Sequence, residues 1–132
     1  MRIRRAGALA ALALLWPLAA APAAEAPQPK TVTVLMVEYA FKPAQLSFRR
    51  GVAYRLHLDN RGKETHEFTA PDFFKAIDMR NPEVVNADRT EIAVQPGTTK
   101  DLYFVARQPG AYGLHCADHD WAGMVGHITI AP

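Results

Sequence analysis

Near the C-terminus, the stretch GLHCADHDWAGMVGHITI sets Cys116, His119 and Met124 on one short segment, in the spacing C-x2-H-x4-M. A thiolate is a soft ligand, an imidazole a borderline one and a thioether a weak soft one. With a second imidazole, such a set suits a copper ion that cycles between two oxidation states. That second imidazole must come from elsewhere in the fold. His66, in NRGKETHEF, follows a turn and opens a short β-rich run, which makes it the best candidate. Cys116 is the sole cysteine, so no internal disulfide is available. A lone thiol in an oxidising compartment is buried, paired with another chain or bound to metal.

The oxidising compartment follows from the first residues. Arg2, Arg4 and Arg5 form a basic start, Ala6 to Ala20 an apolar run, and Ala21-Pro22-Ala23 a small-residue cleavage site. This is the layout of a secretory signal peptide over residues 1–23, cleaved near Ala23 or Ala24. The apolar run is short for a spanning helix and contains Pro17. The remaining 109 residues are one small domain in size. Their formal charge is −1 rather than the +2 of the whole chain, because the export segment holds three of the arginines. No basic run points to nucleic acid, and no second apolar run points to a membrane span.

The elements that must position these donors read as short strands. Residues 24–30 are a Pro-rich, flexible lead-in, and 31–132 form the domain. Strands are expected over 31–37, 42–48, 52–58, 65–69, 91–94, 100–105, 111–116 and 125–130, from β-branched runs, period-two alternation and Gly/Pro turns. Residues 71–79 are expected to give one or two helical turns, opened by Pro71. This pattern predicts an all-β, antiparallel sandwich or barrel with a short helical segment in one loop. Cys116 then ends one strand, His119 lies in the connecting loop, and Met124 precedes the last strand.

The lead-in QPGAYGLHC, the ligand loop and the upstream HEF resemble the cupredoxins, the small type 1 copper proteins, with a loop spacing similar to plastocyanin and pseudoazurin. The resemblance implies a Greek-key β-sandwich with one copper ion near one end. His66, Cys116 and His119 would be its equatorial ligands and Met124 its weak axial one. The Thr65 carbonyl would approach from the other side, as in some members. A redox partner would dock near His119, and the protein would be a periplasmic monomer rather than an enzyme. Many electron-transfer members carry Asn directly after the first histidine, whereas this chain carries Glu67. HEFTAPDFF is closer to small periplasmic cupredoxins that handle copper.

Each residue also has a plainer reading. Cys116 and Met124 would serve as core residues, and His66 as a strand histidine. His57 falls on the polar face of its strand, His115 points away from Cys116 by period two, and His127 reads as structural or exposed. Trp121 packs on the loop or lies near His119. Glu67 is an unusual ligand or a partner to one. Two other functions remain open: a small copper enzyme subunit whose second metal site is shared in an oligomer, and a zinc-binding sandwich. Zinc would take Cys and two His but gains nothing from Met124.

Overall fold

The computed structural model describes residues 17–132. Residues 1–16, most of the expected export segment, lie outside the described residues, and 17–29 carry no helix or strand.

Two five-stranded sheets face each other. The first runs in the order β2 (Ala40–Lys42), β1 (Lys30–Val37), β4 (Ala53–Asn60), β8 (Thr99–Ala106) and β6 (Ile77–Met79). The second runs β3 (Gln45–Arg49), β10 (Val125–Ala131), β9 (Gly110–His115), β5 (His66–Thr69) and β7 (Glu91–Val94). The β-sandwich is therefore as read from the sequence. Most ladders are antiparallel, but β1 pairs with β4, and β3 with β10, in parallel.

Two expected elements differ in detail. The run 42–48 is cut at Pro43, which has no N–H to donate to a ladder. Its first part pairs with β1 and its second with β10, so this segment crosses from one sheet to the other. The helical segment, α1 (Pro71–Lys75), stops after five residues, and Ile77–Met79 instead pairs with β8. In the loop after it, Pro82–Val84 forms one 3-10 turn.

The core fills because each strand offers one apolar face. In β4, Tyr54, Leu56, Leu58 and Asn60 are buried and the residues between them are half-buried. Phe48, Phe73 and Phe104 meet with ring centroids 5.2–5.6 Å apart. Such aromatic pairs add about 0.5–1.5 kcal/mol each beyond burial. On the outward face of the first sheet, His57 Nδ1 lies 2.6 Å from Asp101 Oδ1, and Arg55 donates to Asp101 at 3.0 Å. His57 is thus paired rather than simply solvated.

One buried polar residue shapes the end of the sandwich that carries the histidines. Asn60 is fully buried. Its Nδ2 donates to the Glu64 and Val94 carbonyls at 2.8 Å each, and its Oδ1 accepts the Gly62 N–H at 2.9 Å. The turn 60–64 is held from inside, so the entry to β5 is fixed. Replacing Asn60 by Ala strands these backbone groups and should cost about 2–3 kcal/mol. Urea unfolding should show a lower midpoint with an unchanged slope.

Candidate metal centre

β5 and β9 approach one another at only one registered pair, Thr69 with His115. Beyond that pair the strands deliver His66 and Cys116 to the same point. Period two turns the Cys116 side chain inward while His115 faces the other way. Cys116 and His66 are both fully buried. The loop after β9 then folds back on itself. The His119 N–H donates to the Cys116 carbonyl at 3.2 Å, and residues Asp120–Ala122 make a 3-10 turn. Gly123 closes this turn at φ +84, a left-handed conformation that glycine adopts without a Cβ penalty. The Met124 carbonyl accepts the Cys116 N–H at 3.0 Å, so the methionine is tied back to the cysteine.

The result brings His66, Cys116 and His119 together, with one donor atom from each lying within 4.8 Å of the others. Cys116 Sγ is 3.3 Å from His119 Nδ1 and 4.0 Å from His66 Nδ1. Typical first-row bonds of about 2.3 Å to sulfur and 2.0–2.1 Å to nitrogen, at roughly 110–120°, put two such donors about 3.6–3.8 Å apart. The observed separations fall on either side of that range, so small side-chain shifts, on the order of a few tenths of an ångström, let the set take a metal ion. Met124 is fully buried, with its backbone bonded to those of Cys116 and His119. His57, His115 and His127 do not join the group.

The thiol is surrounded by polar contacts. It donates to Glu67 Oε2 at 3.0 Å and accepts the Glu67 N–H at 3.4 Å. Glu67 Oε2 also accepts the Asp118 N–H at 3.4 Å, so this buried side chain ties the ligand loop to β5. Burial first, and then the hydrogen bond to Glu67, push the Cys116 thiol up to about 11. A metal ion would replace that proton.

Two glutamates escape the sequence pattern altogether. Glu38 Oε1 lies 3.1 Å from His66 Nε2, and Glu64 Oε2 lies 2.7 Å from His119 Nε2. Each histidine thus presents Nδ1 toward Cys116 and has its far nitrogen against a carboxylate. Glu38 is held below the usual carboxylate range, chiefly by the Glu64 and Lys63 backbone N–H groups. No local signal marks Glu38, because it meets His66 across 28 residues of chain. Around His119, Tyr39 packs at a centroid distance of 4.9 Å and Trp121 lies 5.9 Å from Tyr39. Trp121 is largely exposed and donates its indole N–H to the Asp118 carbonyl at 2.9 Å.

Known proteins share this architecture. The chain is 31% identical over 109 residues to a copper-resistant cuproprotein, CopI, of Rubrivivax gelatinosus, covering 76% of this chain and 66% of that one. It is 27% identical over 93 residues to the minor chloroplastic plastocyanin isoform of Arabidopsis thaliana, covering 69% of this chain and 50% of that one. The chain thus spans between half and two thirds of these curated relatives. Among solved structures, reduced auracyanin from Roseiflexus castenholzii superposes with a TM-score of 0.59 at 20% identity, over 80% of this chain and all of that one. A multicopper oxidase from Campylobacter jejuni superposes with a TM-score of 0.60 at 16% identity, over 83% of this chain but 31% of that one. At such identities the structural likeness concerns the fold alone. The cupredoxin-like domain family matches residues 8–130, and with the paired sheets and the His-Cys-His cluster in place, this chain belongs to that family.

Proposed function

We propose that His66, Cys116 and His119, with Met124 as a weak axial donor, hold one copper ion, and that the protein keeps or passes copper, or single electrons, in the periplasm. The observation that carries this reading is the convergence of two imidazole nitrogens on one buried sulfur. Bound there, copper would supply one-electron chemistry. The residues do the rest. The backbone ties among Cys116, His119 and Met124 hold the loop in a single arrangement, so its donors need not move between oxidation states. Burial of Cys116 and His66 excludes water from the sulfur. His119 is the donor nearest the surface, with 12% of its side chain exposed, and any partner would meet this edge. One chain supplies every donor, which supports a monomer over an oligomer with a shared site. The export segment at residues 1–23 would carry the domain out of the cytoplasm.

Within this reading, copper handling is favoured over free electron shuttling. The similarity to a copper-resistance protein supports it. So does Glu64, whose carboxylate occupies the outer nitrogen of His119 at the edge a redox partner would meet.

Loading the mature protein with Cu(II) should give an intense visible thiolate-to-copper absorption, absent in Cys116→Ser. A colourless protein that takes up zinc instead would overturn the assignment. Met124→Leu nearly conserves volume and should cost less than about 1.5 kcal/mol in stability. As the axial donor, its loss should keep the thiolate band yet raise the reduction potential. An unchanged potential would return Met124 to core packing. A host strain lacking the protein should stop growing at lower copper concentrations than its parent. Equal tolerance with slowed respiration would favour the electron-carrier role.

A further inference from the structure

Resting on the reading that copper lies among His66, Cys116 and His119, we propose that Glu38, with Glu64, is a positioning residue of that centre that biases it toward the oxidised ion. Glu38 is the anchor. Its Oε1 accepts the Lys63 N–H at 2.6 Å, the Glu64 N–H at 3.0 Å and the His66 Nε2–H at 3.1 Å. Three donors converge on one oxygen, and two of them belong to the backbone of the turn that leads into β5. That turn is itself pinned from the other side by the buried Asn60 side chain.

Room for the carboxylate has been made at one residue. A Cβ at Gly62 would collide with Glu38 Oε1 and come within 2.9 Å of His66 Nε2. The glycine is therefore needed for space: any side chain at residue 62 would push the carboxylate off the histidine. The same turn presents Glu64, whose Oε2 meets His119 Nε2 at 2.7 Å. Holding the Glu64 N–H, Glu38 links the two carboxylate–histidine pairs through one backbone segment.

The chemical consequence follows from charge. A histidine whose far N–H is given to a carboxylate is fixed in tautomer and ring orientation, and its other nitrogen becomes a stronger donor. Here that other nitrogen is Nδ1 on both rings, the atom nearest Cys116 Sγ. Cu(II) carries one more positive charge than Cu(I), so electron-rich imidazoles backed by carboxylates stabilise it more. Glu38 lies in a partly covered position, with 27% of its side chain exposed against 48% for Glu64, so screening should weaken Glu64 more.

The test is a potentiometric titration of the copper-loaded mature protein, followed at the thiolate band. Glu38→Gln keeps the shape and removes the charge. It should shift the Cu(I):Cu(II) ratio about tenfold toward Cu(I) at fixed potential, the lower end of the range for outer partners of metal ligands. That corresponds to a midpoint about 59 mV higher for one electron. Gly62→Ala keeps the charge and displaces it, and should raise the midpoint in the same direction. Glu64→Gln should give a smaller rise. Glu83→Gln, at an exposed residue in the 3-10 turn, should leave it unchanged. Thermal unfolding of each variant separates loss of fold from loss of tuning. An unchanged or lowered midpoint in Glu38→Gln overturns the proposal, as does an equal rise in Glu83→Gln. A wild-type protein without a thiolate–copper band would remove the copper reading itself and this inference with it. A wild-type band with unmoved Glu38→Gln and Gly62→Ala midpoints would remove only the inference.

Discussion

Everything at the candidate centre depends on a short meeting between β5 and β9. These strands share one registered pair, and just past it the Glu67 N–H points at Cys116 Sγ. The meeting is brief because β5 has only four residues and is committed along its other edge to β7. A longer ladder would carry the ligand loop past His66, and none at all would leave the cysteine without its imidazole. The sandwich therefore acts as a clamp whose jaws close at one end. The aromatic core behind, with Phe68 fully buried one turn of the pleat from His66, keeps that end from splaying.

Placing two histidines, a cysteine and a glutamate in or near a buried pocket is costly unless each polar atom finds a partner. In this protein they do. Glu67 accepts hydrogen bonds from the thiol and the Asp118 N–H, Glu38 pairs with His66, and Glu64 pairs with His119. Asn60 satisfies the turn that carries them. These contacts form a connected polar layer over one end of an otherwise apolar sandwich. Rigidity at the centre thus comes from hydrogen bonding as much as from packing, and the donor atoms are held in place before any ion arrives.

Glu67 illustrates how one substitution changes the character of such a layer. Its backbone N–H points at the sulfur whatever its side chain is. Its carboxylate adds a second contact to the sulfur and a tie to the loop, and does so inside the protein, where a charge is felt strongly. Together with Glu38 and Glu64 it gives every donor of the cluster an acidic neighbour. Centres that must accept electrons readily are not helped by such surroundings, whereas a centre that retains an oxidised cation is.

What the sequence by itself determined is what lies close along the chain. The spacing of Cys116, His119 and Met124 is local, and a tight loop brings those residues together in any fold that permits it. The alternation in β4 and the Gly/Pro turns likewise marked strands and therefore a sandwich. Only the tertiary structure decided the rest. It paired β1 with β4 and β3 with β10 in parallel, since strand order is a property of the assembled sheets. It ended α1 early, because Ile77 and Met79 gain a ladder with β8 that no local preference reveals. His66 was legible as a residue type, yet its approach to Cys116 spans 50 residues. Glu38 and Gly62 were not legible at all: an acid in the turn after β1 and a glycine in the turn before β5 acquire their meaning only when the fold sets one against the other, because a carboxylate needs both a donor to meet and an empty volume in which to meet it.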